Sequence, residues 1–223
     1  MAKRHEQPNQ PGGSAPRVGG RTGPWVLFGA IVALVLIGDL GLKYWSFQHV
    51  AKTPILLKNE GGPVVYVPDS DGGGWVSPYE RGETRDPAVI PPHEPTVVIP
   101  GGLNFQLTLN QGAVFGTGQG GRPVFIAVSI VATLVILYMH YRSPSRAWAY
   151  QAGLALILGG ALGNLYDRAR YAAVRDMLHM LPDTRLWPWI FNPADVALVV
   201  GVGVVLVVSW WGDYRSKKAG PSV

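Results

Sequence analysis

Hydrophobic positions in the 223-residue chain are gathered into four long runs, not spaced at the period of an amphipathic helix or strand. Gly23 to Leu42 carries a single charge, Asp39. Pro123 to Tyr141 and Ala147 to Tyr166 contain no Asp, Glu, Lys or Arg, and Pro193 to Gly212 contains only Asp195. A helix rises about 1.5 Å per residue, so about 20 residues cross a ~30 Å hydrocarbon core. The pattern therefore predicts transmembrane helices over about 23–45, 123–141, 147–166 and 193–212. A cleavable signal peptide competes for the first run, but the run exceeds the usual 7–15 apolar residues and no small-x-small site follows in SFQHVAK. Between the first two runs, VVYV at 64–67, TVVI at 96–99 and NFQLTLN at 104–110 read as strands punctuated by PDSDGGG and PPHEP. Arg170 to Leu181 reads as a short interfacial helix, with Trp187-Pro-Trp189 at headgroup depth, where Trp is enriched. The expected fold is an all-α membrane protein. It has four transmembrane helices, a small extracytoplasmic β-rich cradle over about 46–122 and a short extracytoplasmic interfacial helix.

Composition sharpens this picture. Only 15% of residues are charged, against about 25% in soluble domains, and there is no Cys, which removes disulfide, thiolate and iron–sulfur chemistry. The net charge of +5 is a topology signal. Lys3, Arg4, Arg17 and Arg21 lie in a basic, Gly/Pro-rich tail over 1–22; Arg142 and Arg146 lie in the turn RSPSR; Arg215, Lys217 and Lys218 lie in the tail 213–223. The positive-inside rule puts both termini and that turn in the cytoplasm, and nucleic-acid binding explains the charge poorly. A membrane domain over 23–212 then presents the segments about 46–122 and 167–192 to the outside.

This topology brings polar residues together. Asp39 near the end of the first span, Asn164 and Asp167 at the end of the third, Asn192 and Asp195 at the start of the fourth, Asn110 in the loop entering the second, and Asp176 all reach one face. Carboxylates near apolar spans are costly and are functional candidates by default. Two of them in a site of low dielectric share a proton, so one can act as base and the other as acid on a water attacking a peptide carbonyl. No Ser or Lys in the apolar runs offers a nucleophile and base, and His49 and His179 lack a metal-ligand spacing.

The segments LTLNQGAVFG, GGALGNLYDR, VRDML and FNPADVAL occur in the order and at the positions seen in lipoprotein signal peptidase (signal peptidase II), and the chain resembles that family over about residues 25–212. The resemblance implies an integral-membrane aspartyl endopeptidase of the bacterial inner membrane. Such an enzyme removes the signal peptide of prolipoproteins before a diacylglyceryl-modified cysteine. It implies Asp176 and Asp195 as the catalytic pair, with Asp39, Asn110, Gly160, Asn164, Asp167, Arg168 and Asn192 supporting the site or binding substrate. No cofactor and no metal are expected. The expected partners are lipid-modified precursors and membrane lipid, with the enzyme acting as a monomer. Three positions depart from the family pattern: Asp39-Leu-Gly-Leu-Lys43 lacks a hydroxyl, Pro193 replaces a branched aliphatic residue, and the stretch about 50–103 is much longer than usual.

Plainer readings stand beside these. Asp167 and Arg168 could be a local ion pair at a helix end, and Asp195 a helix N-terminal charge complementing the macrodipole. Asp39 could support the site or simply partner Lys43 or a backbone amide, and the glycines at 153, 159, 160 and 163 suit close helix packing. PDSDGGG lacks calcium-loop spacing and reads as a surface turn. Competing functions are a carboxylate-dependent carrier, which wants its carboxylates at the bilayer midplane, and an inactive relative that binds lipid-modified peptides.

Overall fold

A computed structural model of the chain describes residues 22–112 and 122–218, without the side chains of residues 216 and 217. Most of the two tails and the Ala113-Val-Phe115 part of the NQGAVF motif lie outside the described residues. Four helices carry the fold: α1 (Thr22–His49), α2 (Arg122–Arg142), α3 (Trp148–Tyr171) and α4 (Pro193–Lys218). All the expected spans are helical, and each helix runs past the expected C-terminal end of its span. The extension of α1 beyond about 45 matters most, because it adds buried Ser46 and Phe47 to the turn after buried Asp39 and Lys43.

Among the described residues, α1, α2 and α4 are long and apolar enough to cross a membrane. Helix α3 falls short on composition for a physical reason: it is the helix the others pack around. It contacts α1, α2 and α4, and buries Gln151, Asn164 and Asp167 along with Gly153, Gly159, Gly160 and Gly163. A Cβ at Gly160 would collide with the Ala194 carbonyl oxygen of α4, and one at Gly163 would stand 2.5 Å from Asp39 Oδ2. Bare backbone at these positions lets α4 and Asp39 approach α3 closely.

Two small antiparallel sheets lie at one end of the bundle. The first is β1 (Leu56–Asn59), β2 (Pro63–Pro68) and β3 (Trp75–Val76), in that order. The second runs in the order β4 (Thr96–Ile99), β5 (Leu103–Asn110), β6 (Val174–Met180), β7 (Ile190–Phe191). The strands expected at 64–67, 96–99 and 104–110 are β2, β4 and β5. Phe47, Val50, Ile55, Leu57, Val65, Leu107 and Met177 form a core that joins the two sheets to the end of α1. PDSDGGG is a turn, with Arg81 paired to Asp69.

The interfacial helix expected over Arg170–Leu181 does not form. Helix α3 continues to Tyr171 and is ended by Ala172 in the left-handed region (φ 59°), and the chain then enters β6, which pairs with β5. Val174, Arg175, Asp176 and Met177 are all buried, so one face of this strand meets the apolar core and the other meets the helix ends. With both faces covered, the strand has no alternation of apolar and polar residues that would distinguish it from a helix.

Candidate active site

Helix α4 begins with Asn192-Pro-Ala-Asp195, and each residue type has a local reason. Pro193 occupies the first helical position, where a missing N–H costs little. Asn192 Oδ1 accepts from Asp195 N (3.0 Å), while Asp195 Oδ2 accepts from Asn192 N (3.3 Å). This is a reciprocal capping box built from Asn and Asp. The helix-terminal reading of Asp195 therefore holds, and it leaves Asp195 Oδ1 available to accept from Asn164 Nδ2 at 2.8 Å.

The capping Asn192 also joins the two candidate carboxylates. Its Nδ2 donates to Asp176 Oδ1 at 2.5 Å, and the Asn110 side chain hydrogen-bonds the same carboxyl group. Residues alternate across a strand, so Met177 enters the core while Asp176 faces the helix ends. Asp176 is 2% exposed, and Asp195 is only partly buried. Burial, reinforced by the charge of Asp195, pushes the Asp176 carboxyl up from its ordinary 3.8 to about 7. The two carboxyls thus sit in unlike settings: a buried one disposed to keep its proton, and a more open one receiving two N–H donors at a helix N-terminus.

A second layer holds this pair in place. Lys43 Nζ donates to Asp39 Oδ2 (2.8 Å) and Asn164 Oδ1 (3.0 Å), and lies 3.3 Å from Asp167 Oδ2. Because its Oδ1 is engaged by a cation, Asn164 must turn its Nδ2 toward Asp195. Asp39 Oδ1 accepts from Ala194 N (3.0 Å), in the first turn of α4. Asp167 accepts from the Arg175 main-chain N (3.0 Å) and from its guanidinium, with Nη2 at 2.8 Å. Lys43, Asp39 and Asp167 are each fully buried.

The expected site residues therefore converge, with corrections to individual roles. Asp167 does not pair locally with Arg168; its cations are Lys43 and Arg175, because the helix end turns Arg168 away to donate to Gly112 O (2.9 Å). Gly160 is a packing position between α3 and α4. A lysine does lie inside the spanning helix, but it is engaged by two carboxylates, and Ser46 Oγ donates to the carbonyls of Leu42 and Lys43. Neither is free to act as a serine–lysine pair. Lys43 and Arg175 were not among the expected site residues. The i, i+4 spacing of Asp39 and Lys43 was the available signal for the first; Arg175 gave none beyond its place beside Asp176.

Residues 75–211 match the sequence profile of signal peptidase (SPase) II. The lipoprotein signal peptidase of Desulfitobacterium hafniense is 39% identical over 125 residues, covering 56% of this chain and 80% of that one. That of Moorella thermoacetica is 40% identical over 121 residues, covering 53% of this chain and 74% of the relative. A solved structure described as a bacterial membrane enzyme superposes with a TM-score of 0.62 at 21% identity, over 88% of this chain and 94% of that one, and so shares its fold. The profile spans more than half of the chain and the curated relatives are matched over most of their length, so this chain belongs to the signal peptidase II family.

Proposed function

We propose that the protein is a membrane aspartyl endopeptidase that removes the signal peptide of prolipoproteins by cleaving before the diacylglyceryl-modified cysteine. The observation that carries this reading is the Asn192 bridge, which donates to Asp176 while capping the helix turn that holds Asp195. Asp195, as carboxylate, takes a proton from water as the oxygen attacks the scissile carbonyl. Protonated Asp176 gives its proton to the carbonyl oxygen, so no free oxyanion builds up. Collapse of the gem-diol returns a proton from its hydroxyl to Asp176, while Asp195 hands its proton to the departing amine, which restores the starting pair. Asn164, Lys43, Asp39 and Asp167 fix the Asp195 side, and Asn110 and Asn192 fix the Asp176 side. Arg168 orders the main chain at Gly112 beside Asn110.

In this reading α3 is the fourth crossing, shielded from lipid by its three neighbours. Both termini are cytoplasmic, and the sheets and the Asp pair are extracytoplasmic in the inner membrane. A scissile bond next to a lipid anchor is presented at that depth. A reporter inserted at residue 75 is expected outside the cytoplasm; a cytoplasmic location would reverse the topology.

Purified protein in detergent is expected to cleave a diacylglyceryl-modified precursor, and to leave uncut both the unlipidated precursor and any substrate offered to Asp195→Asn. Cleavage of the unlipidated precursor at the same rate would overturn the substrate class. Turnover should also fall as pH rises through about 7, because Asp176 must enter the cycle protonated and loses that proton there. The measured limb describes the pair as a unit. A kcat flat from pH 6 to 9 would remove Asp176 as the acid.

A further inference from the structure

In the long stretch between β2 and β5, the His93 side chain meets β5 just beyond the part of that strand that β4 pairs with. Strands β5 and β6 pair Leu103, Asn104 and Phe105 with Met180, His179 and Leu178. Beyond Phe105 the register shifts, and Thr108, Leu109 and Asn110 pair with Asp176, Arg175 and Val174. Gln106 and Leu107 therefore stand opposite Met177 alone, which is a β-bulge. Both bulge residues are held by histidines. His179 Nδ1 meets Gln106 Oε1 at 3.0 Å, and Leu107 N donates to His93 Nε2 at 3.1 Å.

His93 lies three residues before β4, whose pairing with β5 reaches no further than Phe105. Leu107 is 5% exposed, so its N–H would be buried without a strand carbonyl beside it, and the ring nitrogen takes that place. Since Nε2 accepts, the neutral ring carries its proton on Nδ1, which faces Pro91 O at 3.0 Å. Pro91, Pro92 and Pro95 restrict the backbone on either side and pre-orient the ring. The bulge it stabilises sets the phase of the following residues, and a slip of one position would carry Asn110 away from Asp176.

We propose that His93 is a positioning residue for peptide cleavage, which locks the β5 bulge through Leu107 and so holds Asn110 on Asp176. The long segment between the sheets then has a role in turnover. This inference rests on the assignment of Asp176 to the catalytic pair.

The two ring nitrogens can be separated by substitution. Gln places its terminal amide where Nε2 stands and can still accept from Leu107, whereas Asn reaches only the Nδ1 position and keeps the Pro91 contact. In the full-length protein, with lipid-modified precursor as substrate, His93→Ala and His93→Asn are expected to lower kcat about tenfold, since small misplacements in a site cost that much or more. KM should stay within about twofold. Hydrogen exchange of the 103–110 segment should quicken in both, and His93→Gln should restore rate and protection. Full kcat in His93→Ala with Asp176→Asn inactive would overturn this proposal alone. So would the reverse ranking, with Asn active and Gln impaired, which would mark a purely local loop contact. An active Asp176→Asn protein would overturn the Asp pair, and this inference with it.

Discussion

Asp176→Asn is expected to lower kcat by at least about a thousandfold, the scale of losing a group that gives and retakes a proton in the reaction. The fold should survive. Asn keeps the size of Asp and an oxygen for Asn192 Nδ2, so the bridge to the α4 cap remains while the titratable proton disappears. Linkage adds a check that a folding defect would not pass. Burial holds the Asp176 carboxyl near 7 in the folded protein against an ordinary 3.8. A raised carboxyl value favours the folded state at low pH, and that contribution is lost as pH rises through about 7. At pH 8 the unaltered protein carries a buried carboxylate beside the charge of Asp195, and Asn removes that repulsion. The thermal midpoint of Asp176→Asn in detergent at pH 8 should therefore equal or exceed that of the unaltered protein. Lost activity with a retained or raised midpoint supports the acid role. Lost activity with a midpoint many degrees lower would make Asp176 a structural residue.

What could be read from the chain before folding follows from the length of each signal. The apolar runs are long enough that a helix is their only outcome, so α1, α2 and α4 were legible, and α3 could be seen as a helix though not as the central one. Its lower apolarity comes from the glycines and from Gln151, Asn164 and Asp167. The glycines let neighbouring helices close on it, Asn164 and Asp167 face the site, and Gln151 Nε2 donates to Ser143 Oγ and Pro144 O in the turn from α2. Strand β6 gives a helical signal in the sequence because its strand character comes from pairing with β5, more than sixty positions away in the chain, and a covered strand shows no period of two. The Asp and Asn residues were placed in one layer by helix direction alone. Their partners were not legible, because partner choice depends on ångström-scale geometry at helix ends. Arg168 is adjacent to Asp167, yet Arg175 holds that carboxylate. The His93 contact with Leu107 depends on a one-residue bulge that no local pattern announces.

The second large effect belongs to Lys43→Met. Lys43 touches neither Asp176 nor Asp195, yet it is the cation shared by two fully buried carboxylates, Asp39 and Asp167. Asp167 retains Arg175 when Lys43 is removed, but among the described residues Asp39 keeps only the N–H of Ala194. Breaking a buried pair from one side costs about 3–5 kcal/mol, because the stranded charge has no water to receive it. For a domain of this size that corresponds to a thermal midpoint lower by ~10 °C. Activity should fall too, since Asn164 loses the contact that turns its amide toward Asp195. The origin of the loss can be tested with a second change. Asp39→Asn added to Lys43→Met removes the stranded charge and still offers an oxygen to Ala194 N, so the double variant should regain much of the midpoint. It should not regain the rate, because Asn164 stays unanchored. If Lys43→Met melts like the unaltered protein, the buried ion cluster does not hold these helices together. If the double variant melts no higher than the single one, the loss comes from packing around the lysine stem and not from an uncompensated carboxylate.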